Sequence, residues 1–465
     1  MKRFFEKYDL IKVAGILVLL SVVLTWLIPY GYFNGTEIVK EEITRVGLTN
    51  FMQYGLLGIY YFTVLVTFLI VLAGFYQVLS RVSGYQTLVK NISKKLKGHE
   101  TLFVVLTTVV LSAICSLTSE YFPLLVFIPF IISIMNRLKV NKLTAFSATF
   151  GSLLVGTIGS VYGQRVAGIL NEVFGTVSIW YRVILFVVAL GLMLTFMLLN
   201  MKKNKSDKSF EEYDKFEVES YKSGKSAKVW PYIVCLSLLA IVTILAYLPW
   251  ATWKVTAFTS ATEWVNKLTI FGVPIFSYLI GTFIEFGSWD IFTIQFVLLF
   301  IVLLIHWFGK VKLDEVIESF GEGIRKNSYV IVVLLAVYTV LIFSVMYPVI
   351  PVIVDWIANL SKGFNVCLAS IGALITSLFG VEMQYVANLS GAYFATMYAE
   401  HVNALSIIFQ SAFGLISFVA PSSAILMIGL AYMGIPYKDW LKYIWKFIVS
   451  MLAAAIILIA IMLLI

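Results

Sequence analysis

From Leu102 to Met135 the chain reads LFVVLTTVVLSAICSLTSEYFPLLVFIPFIISIM. The run is apolar except at Ser116-Leu117-Thr118-Ser119-Glu120, near its middle. About 20 apolar residues cross a hydrocarbon core, so the run is too long for one crossing and too short for two. Irregular backbone at membrane depth is tolerated only where protein or a water-filled cavity surrounds it. The stretch therefore predicts a re-entrant hairpin: a helix that enters the membrane, turns at the polar residues and goes back to its own side.

Three more apolar segments are interrupted. Leu143–Phe174 breaks at Gly156-Thr157-Ile158-Gly159-Ser160-Val161-Tyr162-Gly163, Val366–Ala399 near Gly380-Val381-Glu382, and Ala404–Met433 near Ala420-Pro421-Ser422-Ser423. Further spans are predicted at Leu10–Pro29, Leu56–Leu79, Trp180–Leu199, Trp230–Trp250, within Val273–Phe308 (with an amphipathic lead-in), at Tyr329–Tyr347 and from Tyr443 onward. The composition agrees: of 465 residues 60% are hydrophobic and 13% charged, about half the charge of a soluble domain. The runs do not alternate in and out, which excludes a β-barrel. The first run, after Met-Lys-Arg, is too long for a signal sequence and is expected to be a retained helix.

The net charge of +9 comes from basic residues spread over short loops, so it sets membrane orientation; nucleic acid is not expected as a partner. If both hairpins turn back, the N-terminus and segments 81–99, 137–142, 202–228, 309–326 and 438–446 share one side and hold 27 of the 34 lysines and arginines. Six (Lys40, Arg45, Arg182, Lys254, Lys267 and Lys362) fall in loops on the other side, and Arg165 lies within a span. That asymmetry places the N-terminus in the cytoplasm and the C-terminus outside, in the cytoplasmic membrane.

The two broken spans resemble each other. Phe146-Ser-Ala-Thr-Phe150-Gly151 aligns with Phe409-Gln-Ser-Ala-Phe413-Gly414; the same offset puts Gly159-Ser160 on Ser422-Ser423 and Glu120 one position from Glu382. Because the offset maps an inside-ended hairpin onto an outside-ended one, the expected fold is an all-α polytopic membrane protein of two inverted repeats, each with a re-entrant hairpin and a broken transmembrane helix. Residues 1–200 would form the first repeat, 201–229 a polar cytoplasmic linker, 230–268 a linker helix and outer loop, and 269–465 the second repeat.

Broken helices supply binding groups. A helix starting mid-membrane offers free N–H groups and a positive dipole end to a carboxylate, and the opposite half-helix offers carbonyls to Na⁺. The candidate binding residues are Ser116, Thr118, Ser119, Glu120, Thr157, Gly159, Ser160, Arg165, Glu382, Gln384, Ser422 and Ser423, with Na⁺ expected at Ser119, Thr157, Ser160 and Ser422. Intramembrane charges are costly and usually functional. Arg165 has the fork geometry to grip a carboxylate, with a structural ion pair to Glu120 as the other reading. Glu120 or Glu382 is able to take a proton, ligate Na⁺ or hold an ammonium. Cys115, Cys235 and Cys367 read as core residues, with no disulfide or zinc spacing. No nucleotide loop, nucleophile elbow or paired metal ligands appear, so neither an enzyme nor ATP-driven transport is expected, and no cofactor beyond Na⁺ or H⁺ as coupling ion.

Several motifs are similar to those of YfcC-like carriers of the C4-dicarboxylate anaerobic carrier family, within the ion transporter superfamily. They are Thr25-Trp-Leu-Ile-Pro29-Tyr-Gly31, Ser119-Glu120-Tyr-Phe-Pro123, Phe320-Gly-Glu-Gly323 and the run from Pro421 to Tyr443. The resemblance implies secondary transport of small organic anions or amino acids, an elevator-like motion of the hairpins and a homodimer. This chain carries Ser-Glu at the hairpin tip where the family usually has two acids, and it lacks the Asn-Pro of the first break. The expected activity is secondary transport of a small carboxylate-bearing solute, an amino acid first and a C4-dicarboxylate second, by symport, antiport or exchange. The alternative is a cation/proton antiporter that uses the Glu pair alone and has no need of Arg165.

Overall fold

The computed structural model describes residues 9–203, 219–221 and 228–464. The chain is an all-α polytopic membrane protein. Among the described residues eight helices are long and apolar enough to cross a membrane: α1 (Asp9–Leu27), α3 (Thr63–Ser80), α5 (Glu100–Thr118), α9 (Ile179–Lys203), α10 (Trp230–Tyr247), α13 (Ile291–Gly309), α14 (Leu313–Met346) and α20 (Tyr437–Leu464). Shorter helices lie between them: α2 (Leu48–Tyr61), α4 (Ser83–Leu96), α6 (Tyr121–Arg137), α7 (Lys142–Ile158), α8 (164–174), α11 (Ala257–Lys267), α12 (Ile275–Ile280), α15 (Ile350–Ala358), α16 (Val366–Gly380), α17 (383–397), α18 (Val402–Ser417) and α19 (Ala424–Met433). An antiparallel ribbon, β1 (Gly31–Phe33) with β2 (Ile38–Lys40), follows α1 and pairs Gly31 with Lys40. The sequence reading did not foresee it.

Both hairpins form. α5 stops at Ser119, whose φ of 56° is left-handed; the chain reverses at Glu120 and returns as α6. The far end of α6 packs on α4, the helix that leads into α5, with Tyr85 and Phe130 in ring contact at 6.1 Å. Its two ends therefore lie together. The second hairpin follows the same plan. α16 ends at Val381, with φ 57°, Glu382 follows, and α17 runs back along α16, where the Ser390 hydroxyl donates to Thr376 Oγ1 at 2.8 Å. A β-branched residue at positive φ is strained, and only the surrounding packing holds it there.

α14 is the central post and packs against α1, α2, α3 and α19. Segment 309–326 was expected to be a loop, but α14 begins at Leu313, because no breaker interrupts the helical pattern before Met346. Its Gly323 permits close contact with α3: a Cβ there would sit 2.4 Å from the Ala73 carbonyl oxygen. Next to it Glu322 takes Arg81 at 3.2 Å and Lys326 at 2.9 Å. The Gly-Glu-Gly motif is thus a packing and ion-pair joint between two spans.

The span expected within Val273–Phe308 is α13, which starts at Ile291, capped by the Asp290 carboxylate; the segment before it carries the short α12. Two further expectations change. Cys367 is exposed, in the first turn of α16, whereas Cys115 is buried. Arg182 is not a loop residue: it is 2% exposed, drawn in by Ala167 O, Asn171 Oδ1 and Ser406 Oγ. Most of linker 201–229 lies outside the described residues.

The hairpin predicts that exposed Lys97 and Lys139, which flank α5 and α6, face the same side of the membrane. Single cysteines at these positions, in a Cys367→Ala background, should react alike with an impermeant thiol reagent in oriented vesicles. Labelling from opposite sides would remove the first hairpin.

Candidate functional site

The first hairpin tip and the first broken helix interlock. α7 ends at Ile158, the chain is non-helical over 159–163, and α8 starts at Gln164. Val161 N–H donates to Ser116 O at 2.8 Å. The Ser116 hydroxyl donates to Gly159 O, and the Ser119 and Ser160 hydroxyls bond each other. Ser116, Ser119 and Ser160 are buried, as is Thr118, whose Oγ1 accepts the Glu120 N–H at 3.1 Å. Gly163 is required at this contact: a Cβ there would lie 2.0 Å from Thr118 O. Buried backbone groups must find partners, and the polar tip and the Gly-rich break supply them to each other.

Gln410, on α18, completes the junction and was missing from the sequence-based site. Its Nε2 donates to Ile158 O at 2.9 Å and Ser160 O at 2.8 Å, two carbonyls left without helical partners by the break. Its Oε1 is buried with no hydrogen-bond partner in the structure. The signal was available: Gln410 lies in the repeated Phe-x-x-x-Phe-Gly motif, and an amide in an apolar span needs a reason. Gln410, Ser119 and Ser160 thus bring neutral polar groups to the same break. Among the described residues no cluster of three or more His, Cys, Asp or Glu is placed to hold a metal ion.

Arg165, on the first turn of α8, joins the two hairpin tips. Its Nε meets Glu120 Oε2 at 3.2 Å, and its Nη1 meets Glu382 Oε2 at 3.0 Å. The rings of Tyr121 and Phe122 lie 5.4 and 5.7 Å from the guanidinium carbon, within cation–π range. The Tyr338 hydroxyl of α14 donates to Glu382 Oε1 at 2.5 Å, and its ring stacks on Phe62 at 3.8 Å. Sequence reasoning missed Tyr338, because one tyrosine in a long apolar helix carries no pattern. The side chains of Arg165, Glu120 and Glu382 are 25%, 24% and 15% exposed, so the cluster is shielded but not sealed.

The other candidates lie apart. Thr157 Oγ1 donates to Leu153 O within its own helix. Ser423 caps α19, and Ser422 is buried; no described hydrogen bond joins either to the first tip or to Arg165. The carbonyls of Phe418 and Val419 at this second break are taken by Trp440 Nε1 and the Tyr437 hydroxyl of α20. Gln384 is exposed and donates to Asn388 Oδ1 at 3.3 Å.

Gly163→Ala should lower the melting temperature of the purified protein by several degrees, since a methyl cannot fit against Thr118 O and overpacking costs about 1–3 kcal/mol. Gly191→Ala, where an added Cβ meets nothing within 4 Å, should be neutral or stabilising. Equal melting temperatures for the two variants would show that the interlock is looser than described.

No curated protein sequence matches this chain. Two solved transporters align with it at a TM-score of 0.38: MtrF of Neisseria gonorrhoeae, from a class described as antimetabolite efflux pumps, and YdaH of Alcanivorax borkumensis. The first is 14% identical over 97% of this chain and 94% of its own; the second is 13% identical over 98% of each. The profile of the C4-dicarboxylate anaerobic carrier family matches residues 8–464. The chain belongs to the C4-dicarboxylate anaerobic carrier family and is a membrane carrier.

Proposed function

We propose that the chain is a secondary active carrier of a small carboxylate-bearing solute, held between the two hairpin tips at Arg165. The observation that carries this reading is one guanidinium shared by two carboxylates from different hairpins. A solute carboxylate entering the cluster takes over part of the Arg165 fork and frees a glutamate. Two carboxylates against one guanidinium leave a net charge of −1, which suits the ammonium of an amino acid or a coupling cation. An amino acid is therefore the first reading. A C4-dicarboxylate is the second, favoured by the family to which the chain belongs; its second carboxylate would rely on the α8 N-terminus or on a bound Na⁺. Aspartate against succinate separates the two, since both have four carbons and two carboxylates and only aspartate has an ammonium.

The motion that fits this arrangement is an elevator. The hairpins and the two broken helices would move together against α1, α3, α13 and α14, with the Tyr338–Glu382 bond breaking and re-forming as they pass. This reading treats residues 1–200 and 269–465 as inverted repeats joined through 201–268. It places the protein in the cytoplasmic membrane with the N-terminus inside, as a homodimer.

Arg165→Ala should weaken solute binding by roughly 2–5 kcal/mol, because the solute carboxylate and both glutamates lose their partner. Arg165→Lys should recover only part, since a point charge cannot serve two carboxylates in fork geometry. Thermal shift of the purified variants against aspartate and succinate reads the effect. A folded Ala variant with normal binding would make Arg165 purely structural and remove the main support for a carboxylate held there, whereas a native protein that responds to neither acid would favour the cation/proton antiporter.

Coupling is tested by imposing gradients separately on proteoliposomes. If Glu120 carries the proton, Glu120→Gln should abolish uptake driven by a pH gradient and leave solute exchange intact. If Na⁺ binds the neutral oxygens of Ser119, Ser160 and Gln410, uptake should follow a sodium gradient, and Gln410→Leu should raise the sodium requirement. Uptake that ignores both gradients and responds only to solute on the opposite side would leave an exchanger.

A further inference from the structure

A cavity of about 1110 Å³ separates α1, α3 and α14 from α6 and α19. None of the candidate site residues lines it. Drug-sized ligands occupy pockets of about 300–1,000 Å³, so this space is large enough for a small acid. Its mouth carries Lys142, Arg325 and Lys326 against Asp9. Lys326 pairs with Glu322 at 2.9 Å, and the Asp9 carboxylate accepts the Tyr437 N–H at 3.1 Å. Arg325 is exposed and forms no ion pair among the described residues. The mouth is therefore net positive and draws anions.

The rest of the wall carries neutral polar groups, among them Tyr76, Gln77, Tyr85 and Ser133, beside apolar Leu125 and Phe150. Leu125 follows Glu120 by five residues, a rise of ~8 Å in a helix. Leu125 is thus a wall residue within about two helical turns of Glu120. On this wall Tyr85 is 4% exposed; its hydroxyl stands beside Ser133 and makes no well-formed hydrogen bond in the structure. A buried hydroxyl left without a partner costs free energy unless a ligand or water satisfies it.

We propose that this cavity is a second binding site for a small organic anion, in which the Tyr85 hydroxyl donates to a carboxylate and Arg325 raises the local anion concentration. It stages solute for the Arg165 cluster and so rests on the carrier reading above. The site commits to an anion: a cation meets the basic mouth, and a lipid tail leaves the Tyr85 hydroxyl unpaired.

Thiol chemistry tests this without transport. A Ser133→Cys variant in a Cys235→Ala, Cys367→Ala background should react with an anionic sulfonate thiosulfonate about 5–10 times faster than with its cationic ammonium counterpart, each rate normalised to that with a small free thiol. The preference should fall towards one near ~1 M salt, and Arg325→Gln should remove most of it. Aspartate or succinate should slow the reaction, and Tyr85→Phe should raise the concentration needed about tenfold. If Ser133→Cys does not fold, Asn327→Cys, also on the cavity wall, takes its place. Equal rates for the two reagents would overturn the proposal. So would a solute that is transported and gives no protection, while leaving the carrier reading intact. Protection by succinate in a protein that transports neither acid would uphold the anion site and overturn the carrier reading.

Discussion

The Arg165 guanidinium, shared between Glu120 and Glu382, is the interaction on which the arrangement of the membrane-embedded elements depends. A charge taken out of water at membrane depth costs several kcal/mol, and a single ion pair often fails to offset it. Here one cation faces two carboxylates, two aromatic rings lie over it, and a tyrosine hydroxyl completes one carboxylate. Each glutamate stands at a hairpin tip, the place where a chain reversing inside the membrane most needs polar partners. The two hairpins have separate origins in the chain, and the described ion pairs tie them together only through Arg165.

Around that cluster the fold solves the problem of irregular backbone in an apolar medium. At the first break, the carbonyls of Ile158, Gly159 and Ser160 are met by Gln410 and Ser116, and the tip residues answer with their own N–H and hydroxyl groups. At the second break the solution differs, since Trp440 and Tyr437 take the carbonyls of Phe418 and Val419. Aromatic donors on a bulky span fill the second break. Short hydroxyls and an amide with an idle oxygen line the first. The two breaks are similar in sequence position and different in chemistry, and the charged cluster sits at the first.

The post α14 connects this chemistry to the rest of the molecule. Its lower part is fastened to α3 by Gly323 and by the Arg81–Glu322–Lys326 ion pairs, and its upper part reaches the second hairpin tip through Tyr338. Stacking on Phe62 holds the Tyr338 ring in place, so the hydroxyl is presented by a rigid wall. One hydrogen bond to a hairpin tip is easily exchanged, whereas the ion pairs and close helix contact of α14 with α3 are not.

The sequence by itself determined the membrane class, both hairpins with their turning points at Ser119-Glu120 and Val381-Glu382, and the positions of the broken helices. These follow from local physics: apolar run length against bilayer thickness, and polar or glycine residues where a helix has to stop. It also singled out Arg165, Glu120 and Glu382, because charges at membrane depth are conspicuous wherever they occur. Tertiary structure alone decided that Arg165 spans both tips and not Glu120 alone, that Gln410 holds the first break from a helix some 250 residues away, and that Tyr338 faces Glu382. It also drew Arg182 inward, left Cys367 exposed and extended α14 through an expected loop. Those outcomes depend on which faces of distant helices meet, and hydropathy does not encode the facing of a helix that is apolar all round.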